Sequence, residues 1–139
     1  MRLTVDNYQA QLPIPLCCVI DLAAKCAYEA VRHIHNGASP VDTHKPPFDA
    51  KLPQCKGMIN AVLAFFQDPP ASEADNHNRW VESKVSQDWI YGIEYSEDLK
   101  QSPDIIDYQS LSPLSKAKNA AFYGVCLAAV MPFIQSKGE

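Results

Sequence analysis

Residues 14–35, IPLCCVIDLAAKCAYEAVRHIH, repeat apolar positions at steps of three and four: Leu16, Val19, Ile20, Ala23, Ala27, Val31 and Ile34. Asp21, Lys25, Glu29 and Arg32 fill the opposite side, which is the period of an amphipathic helix. Gly37 marks its stop. Residues 38–53 hold Pro40, Pro46, Pro47 and Pro53 and read as a loop. A second helix is predicted over 54–67, with Met58, Ile59, Val62, Leu63 and Phe66 as its buried stripe and Pro69-Pro70 beyond its end. Ser72 and Asp75 form a capping-box pattern for a third helix that runs to about 86. Ser112-Pro113 starts a last helix that reaches about 135: Ser suits the N-cap and Pro the first turn. That helix is apolar on nearly every side, and Pro132 should kink it or end it early. The fold expected is mainly α: about four helices, with a short extended aromatic insertion between the last two.

The insertion, QDWIYGIEYSEDLKQSPDIIDY over 87–108, combines Trp89, Tyr91, Tyr95 and Tyr108 with carboxylates and one lysine. Connections usually carry polar residues, so this aromatic content calls for a reason. His77, Trp80 and Lys84 stand three or four residues apart on the preceding helix and so share one face. Indole and phenol faces can stack a base, and Arg79, Lys84 and Lys100 can neutralise phosphate. His77, Arg79, Trp80, Lys84, Trp89, Tyr91, Lys100 and Tyr108 are therefore the candidate ligand-binding residues. Each has a plainer reading. Trp80 and Trp89 can pin the loop to the helices as core aromatics, His77 can cap or pack locally, and Lys100 can be a solvated surface lysine.

The rest of the chain narrows the class. Its 139 residues have the length of one domain, read here as 1–139, and 47% apolar content suffices for a core. The net charge of −4, with both signs interspersed, argues against binding a nucleic-acid polymer. No apolar run reaches bilayer length; residues 12–31 come closest and are interrupted by Asp21, Lys25 and Glu29. MRLTVDNYQ lacks the layout of a secretory signal, so a cytoplasmic protein without membrane partners is expected. Five cysteines without a C-x-x-C pair read as free, buried thiols of a reducing compartment. No H-E-x-x-H or zinc spacing, P-loop or G-x-S-x-G occurs, and the E-x-x-E pair Glu94/Glu97 falls in the loop. No catalytic residue, metal or cofactor is assigned. The apolar last helix points to a homodimer or a higher closed oligomer.

Residues 77–122 resemble the ryanodine-receptor repeat (RyR) domain. Trp80 matches the helical Trp of that family; Trp89, Tyr91 and Gly92 match its W-x-Y-G core; Asp98 and Lys100 match its charged pair. Pro103, Ile105, Ile106, Tyr108 and Leu111 match the later positions without a gap. Asp88 replaces the Gly before Trp, Ser102 the His before Pro, and Asp107 the Pro before Tyr, while Asn119 stands where the family often has Asp. The core motif is 77–122 and the N-terminal helical part 12–70, an arrangement similar to short stand-alone RyR proteins of phages and bacteria. The resemblance implies non-enzymatic binding of a nucleotide-derived small molecule between the Trp80 helix, the W-x-Y-G segment and Tyr108. It further implies sequestration of a cyclic or linear nucleotide immune messenger, as a phage anti-defence sponge acting in the host cytoplasm. A protein that blocks a host factor and a small nucleotide-processing enzyme are the competing readings.

Overall fold

The structure, a computed structural model, describes residues 2–137. Six helices appear in chain order: α1 Tyr8–Gln11, α2 Ile14–Gly37, α3 Pro53–Gln67, α4 Glu73–Ser86, α5 Pro113–Ala129 and α6 Met131–Lys137. Helix takes up 63% and strand 4% of the chain, so the fold is mainly α, as expected. None of the described helices is long and apolar enough to cross a membrane. The chain forms two compact units: residues up to Pro69 together with those from Ala120, and Pro70–Asn119.

The first unit is built on α2 against α3. Ile20, Ala23, Ala24 and Ala27 of α2 are fully buried, and the run of small alanines lets the two helix backbones approach closely. Across from them α3 contributes Ile59, Val62, Leu63, Phe65 and Phe66; Phe122, Cys126 and Val130 complete the cluster. Proline stands in the first turn of both α2 and α3, where its missing N–H costs nothing. The 38–53 connection is anchored by polar contacts. The Tyr28 hydroxyl donates to the Pro46 carbonyl at 2.8 Å, and Glu29 accepts from Arg32 at 2.8 Å and from the Phe48 N–H at 3.2 Å.

One expectation is met and one needs correction. The last helix ends early, as expected from Pro132: α5 ends at Ala129 and α6 begins at Met131. Pro132 cannot donate to the carbonyl one turn back, and its ring would clash there, so the ladder stops and restarts. The cysteines are all free, but only Cys55 and Cys126 are buried; Cys17 is half-buried and Cys18 and Cys26 are exposed. Burial pushes the Cys126 thiol up to about 12, which leaves it protonated and inert.

The second unit has a small apolar centre, with Ile105 and Leu111 its buried hydrophobic residues and His77 and Ser102 buried beside them. Backbone pairing supplies the rest of its order. Strand β1 (Ile90–Tyr91) pairs parallel with β2 (Gln101–Ser102), and Ser96 bridges to Gln101. Gly92 is required at this pairing. A Cβ there would lie 2.5 Å from Gln101 Cδ and 2.8 Å from its Cβ. That Gln101 side chain in turn donates to the Glu94 carbonyl at 3.0 Å, so it cannot swing aside without loss.

Candidate functional site

Helix α4 sets the site, and its two ends are closed by local chemistry. At the start, the Ser72 hydroxyl accepts from the Asp75 N–H at 3.1 Å, and the Asp75 carboxylate accepts from the Ala71 N–H at 2.9 Å. The hydroxyl half of a capping box is therefore present, while the Asp75 carboxylate reaches one residue further back than the N-cap. At the end, the Asp88 N–H donates to the Val85 carbonyl and the Trp89 N–H to the Lys84 carbonyl, both at 3.0 Å. This is the Schellman arrangement, in which the residue after the helix turns left-handed. Asp88 does so at φ 71°, a conformation that glycine takes freely and Asp tolerates. Asp88 stands at the position before Trp89 where the resemblance leads one to expect glycine.

The turn brings Trp89 back over the last helical turn. The Lys84 ammonium lies 4.6 Å from the Trp89 ring centroid and 5.9 Å from that of Trp80. From this pair a continuous ring row extends both ways. On one side Trp89 meets Tyr95 at 5.8 Å. On the other, Trp80 stacks on His77 at 5.7 Å with planes 28° apart, and His77 meets Tyr108 at 6.2 Å. Lys116 closes the far end, 5.6 Å from the Tyr108 ring.

The row lies at the surface. Trp80 is 38% exposed and Tyr95 62%, while Trp89 and Tyr108 are half-buried. His77 is the exception: it is buried, and its Nε2 pairs with the Ile106 carbonyl at 2.8 Å, which makes Nε2 the protonated nitrogen. The Tyr108 hydroxyl donates to Glu73 at 2.9 Å, and that hydrogen bond to a carboxylate raises its pKa. Burial, and then the bond to Glu97, raises the Tyr95 phenol as well. Both phenols are neutral donors at physiological pH.

Of the eight residues read from the sequence, the structure brings His77, Trp80, Lys84, Trp89 and Tyr108 into one row. Arg79 faces Asp75 one turn away at 3.1 Å. Lys100 adopts a left-handed φ of 51° and donates to the Gln87 carbonyl at 3.2 Å, tying the loop to the end of α4. Tyr91 sits in β1 with its side chain 54% exposed. Tyr95 and Lys116 belong to the row and were not among the eight. The arrangement is an open strip rather than the expected cleft. The two described cavities, of about 380 and 470 Å³, lie in the first unit, beside Arg2–Asp6 and beside Tyr8 and Phe48. Among the described residues no group of three or more His, Cys, Asp or Glu is arranged to hold a metal.

Because the left-handed Asp88 aims Trp89, Asp88→Val should disturb the site without touching a ring. A β-branched residue in that conformation costs about 1–2 kcal/mol. Both tryptophans of the chain lie in the row, so intrinsic fluorescence reports on it alone. A shifted emission maximum is the expected result, and an unchanged spectrum would show that the turn does not position Trp89.

Residues 70–132 match the family model of the RyR domain. The match reaches beyond the 77–122 motif at both ends and takes in α4, the loop and α5. No curated protein and no solved structure matches the chain.

Proposed function

We propose that the chain binds a nucleotide-derived small molecule along the ring row and holds it without chemical change. The observation that carries this reading is Lys84, an ammonium seated against two partly open indole faces. A cation over an exposed ring contributes only about 0.5–1 kcal/mol. A base stacked on the same ring contributes about 1–3 kcal/mol, and an ammonium–phosphate hydrogen bond is stronger than a neutral one. A ligand carrying both base and phosphate therefore gains by taking the indole face and drawing Lys84 onto its phosphate. Lys116 beside Tyr108 offers a second cation at the other end. The RyR match supports the reading, because the residues of the row fall inside it.

In this proposal the binding is itself the activity: a nucleotide messenger, cyclic or linear, is withdrawn from whatever reads it, in the manner of a viral sponge. The test is mass spectrometry of small molecules released on denaturation from protein purified beside an active nucleotide-signalling enzyme. An intact nucleotide in stoichiometric amount is expected. Calorimetric titration of that nucleotide should then weaken about tenfold to a hundredfold in Trp89→Ala, the loss of one stacked base. Release of a chemically altered nucleotide would replace the proposal with an enzyme. Copurification of a polypeptide with no nucleotide would replace it with a protein-blocking role.

A further inference from the structure

We infer that the ring row takes a dinucleotide, one base and one phosphate at each end, rather than a single nucleotide. The inference presupposes that the row binds a nucleotide at all, as proposed above. The row carries two separate pairings of an ammonium with a ring. Lys84 lies 4.6 Å from the Trp89 centroid and 5.9 Å from that of Trp80, and Lys116 lies 5.6 Å from that of Tyr108. Lys84 belongs to the last turn of α4 and Lys116 to the first turn of α5, so the two cations come from different elements. Between the pairings stands His77, which meets Trp80 at 5.7 Å and Tyr108 at 6.2 Å. It is buried and presents no face to a ligand. The row therefore divides into two places where a base can stack beside a cation.

One nucleotide serves only one of these places, because its base and phosphate are joined through a single sugar. A second unit linked to the first reaches the other place without a second loss of translational freedom, since the linkage sets a high effective concentration. The centroid steps on either side of His77 each exceed the rise of about 3.4 Å between stacked neighbours on one strand. The two bases are therefore held apart, each on its own ring, and not stacked on each other. Carboxylates bonded within this unit are engaged elsewhere than at the two cations. Glu73 accepts from Tyr108 at 2.9 Å, Glu97 from Tyr95 at 3.1 Å and Asp104 from Ser115 at 2.8 Å. Lys116 makes one long bond, to the Gln109 carbonyl at 3.3 Å, which a shorter, charge-assisted bond to a phosphate oxygen can replace. Stacking tolerates any base, so the geometry sets the number of units and not the identity of the bases.

Titration of the full chain with 5′-phosphorylated diadenylate and with ADP tests this. Both probes carry two phosphates and similar charge, and they differ in having two bases or one. Quenching of the Trp80 and Trp89 emission reads the binding of either. Diadenylate should bind about tenfold to a hundredfold tighter than ADP, at one molecule per chain, through its second stacked base. Lys116→Met should remove most of that advantage. Its melting temperature and circular dichroism should be retained, because the lysine is half-buried and methionine keeps most of its stem. The near-ultraviolet circular dichroism couplet of the stacked adenines in free diadenylate should be lost on binding. Equal affinity for the two probes, diadenylate held equally by parent and Lys116→Met, or a couplet that survives binding would overturn the two-unit ligand and leave the row as a site for one nucleotide. Emission that answers neither probe would remove the row as a nucleotide site, and this inference with it.

Discussion

Replacing Phe65 with alanine is expected to destabilise the first unit by about 3–5 kcal/mol. The ring is 2% exposed and lies in the middle of the cluster formed by α2, α3 and the later part of α5. It meets Tyr123 edge-on, with centroids 5.9 Å apart and planes at 70°, a geometry that contributes about 0.5–1.5 kcal/mol beyond area burial. Val62, Leu63 and Ile20 of the same cluster are themselves fully enclosed, so little is free to collapse into the space. Total stabilities run to only about 5–15 kcal/mol, so the loss is a third or more of what holds such a fold together. Urea denaturation followed by circular dichroism measures it. Phe65→Leu, which keeps most of the volume, should cost under about 1.5 kcal/mol on the same instrument. If the two variants are equally stable, Phe65 is not packed as described.

The helices were legible because their signals are local. The stripe over 14–35 became α2 within two residues, and the prolines that bound 38–53 and follow residue 67 bound α3. Helix α1 was not legible, since four residues are too few to show a period; Tyr8 is buried there, and its hydroxyl, bonded to Asp21, is pushed up to about 12, first by burial and then by that carboxylate. The exposure of Cys18 and Cys26 is not legible in the sequence, because a thiol in an apolar run looks like core. Cys18 and Cys26 lie on the 14–18–22–26 ridge, a different face from the Ile20–Ala23–Ala27 stripe. In the site, the shared face of His77, Trp80 and Lys84 follows from spacing alone. That Trp89 returns onto Lys84 depends on the left-handed Asp88, which no periodicity reveals. Lys116 reaches Tyr108 through tertiary structure and left no trace in the motif. The pairing of Arg79 with Asp75 follows from their spacing, one turn apart.

His77 is where the stability of the second unit and the geometry of its surface meet, and His77→Ala should damage both. The imidazole is 3% exposed, holds the Ile106 carbonyl at 2.8 Å, and stands between Trp80 and Tyr108. Alanine would leave that carbonyl without its donor, at about 1–3 kcal/mol, and would remove the stacking surface beneath Trp80. Together these set an expected loss of about 2–4 kcal/mol. Two further variants separate the contributions. His77→Gln keeps a donor for Ile106 and loses the ring; His77→Phe keeps the ring and loses the donor. If hydrogen bonding anchors the 103–108 segment, the Gln variant is the more stable of the two by denaturation. If the imidazole also holds Trp80 in register, the Phe variant keeps the parental tryptophan emission and the Gln variant does not. Nucleotide affinity should follow the emission rather than the stability, because a ligand stacked on the row meets the indole and not the buried carbonyl. A Phe variant as stable as the parent would show that the bond to Ile106 contributes nothing, and the anchoring described for this segment would be wrong.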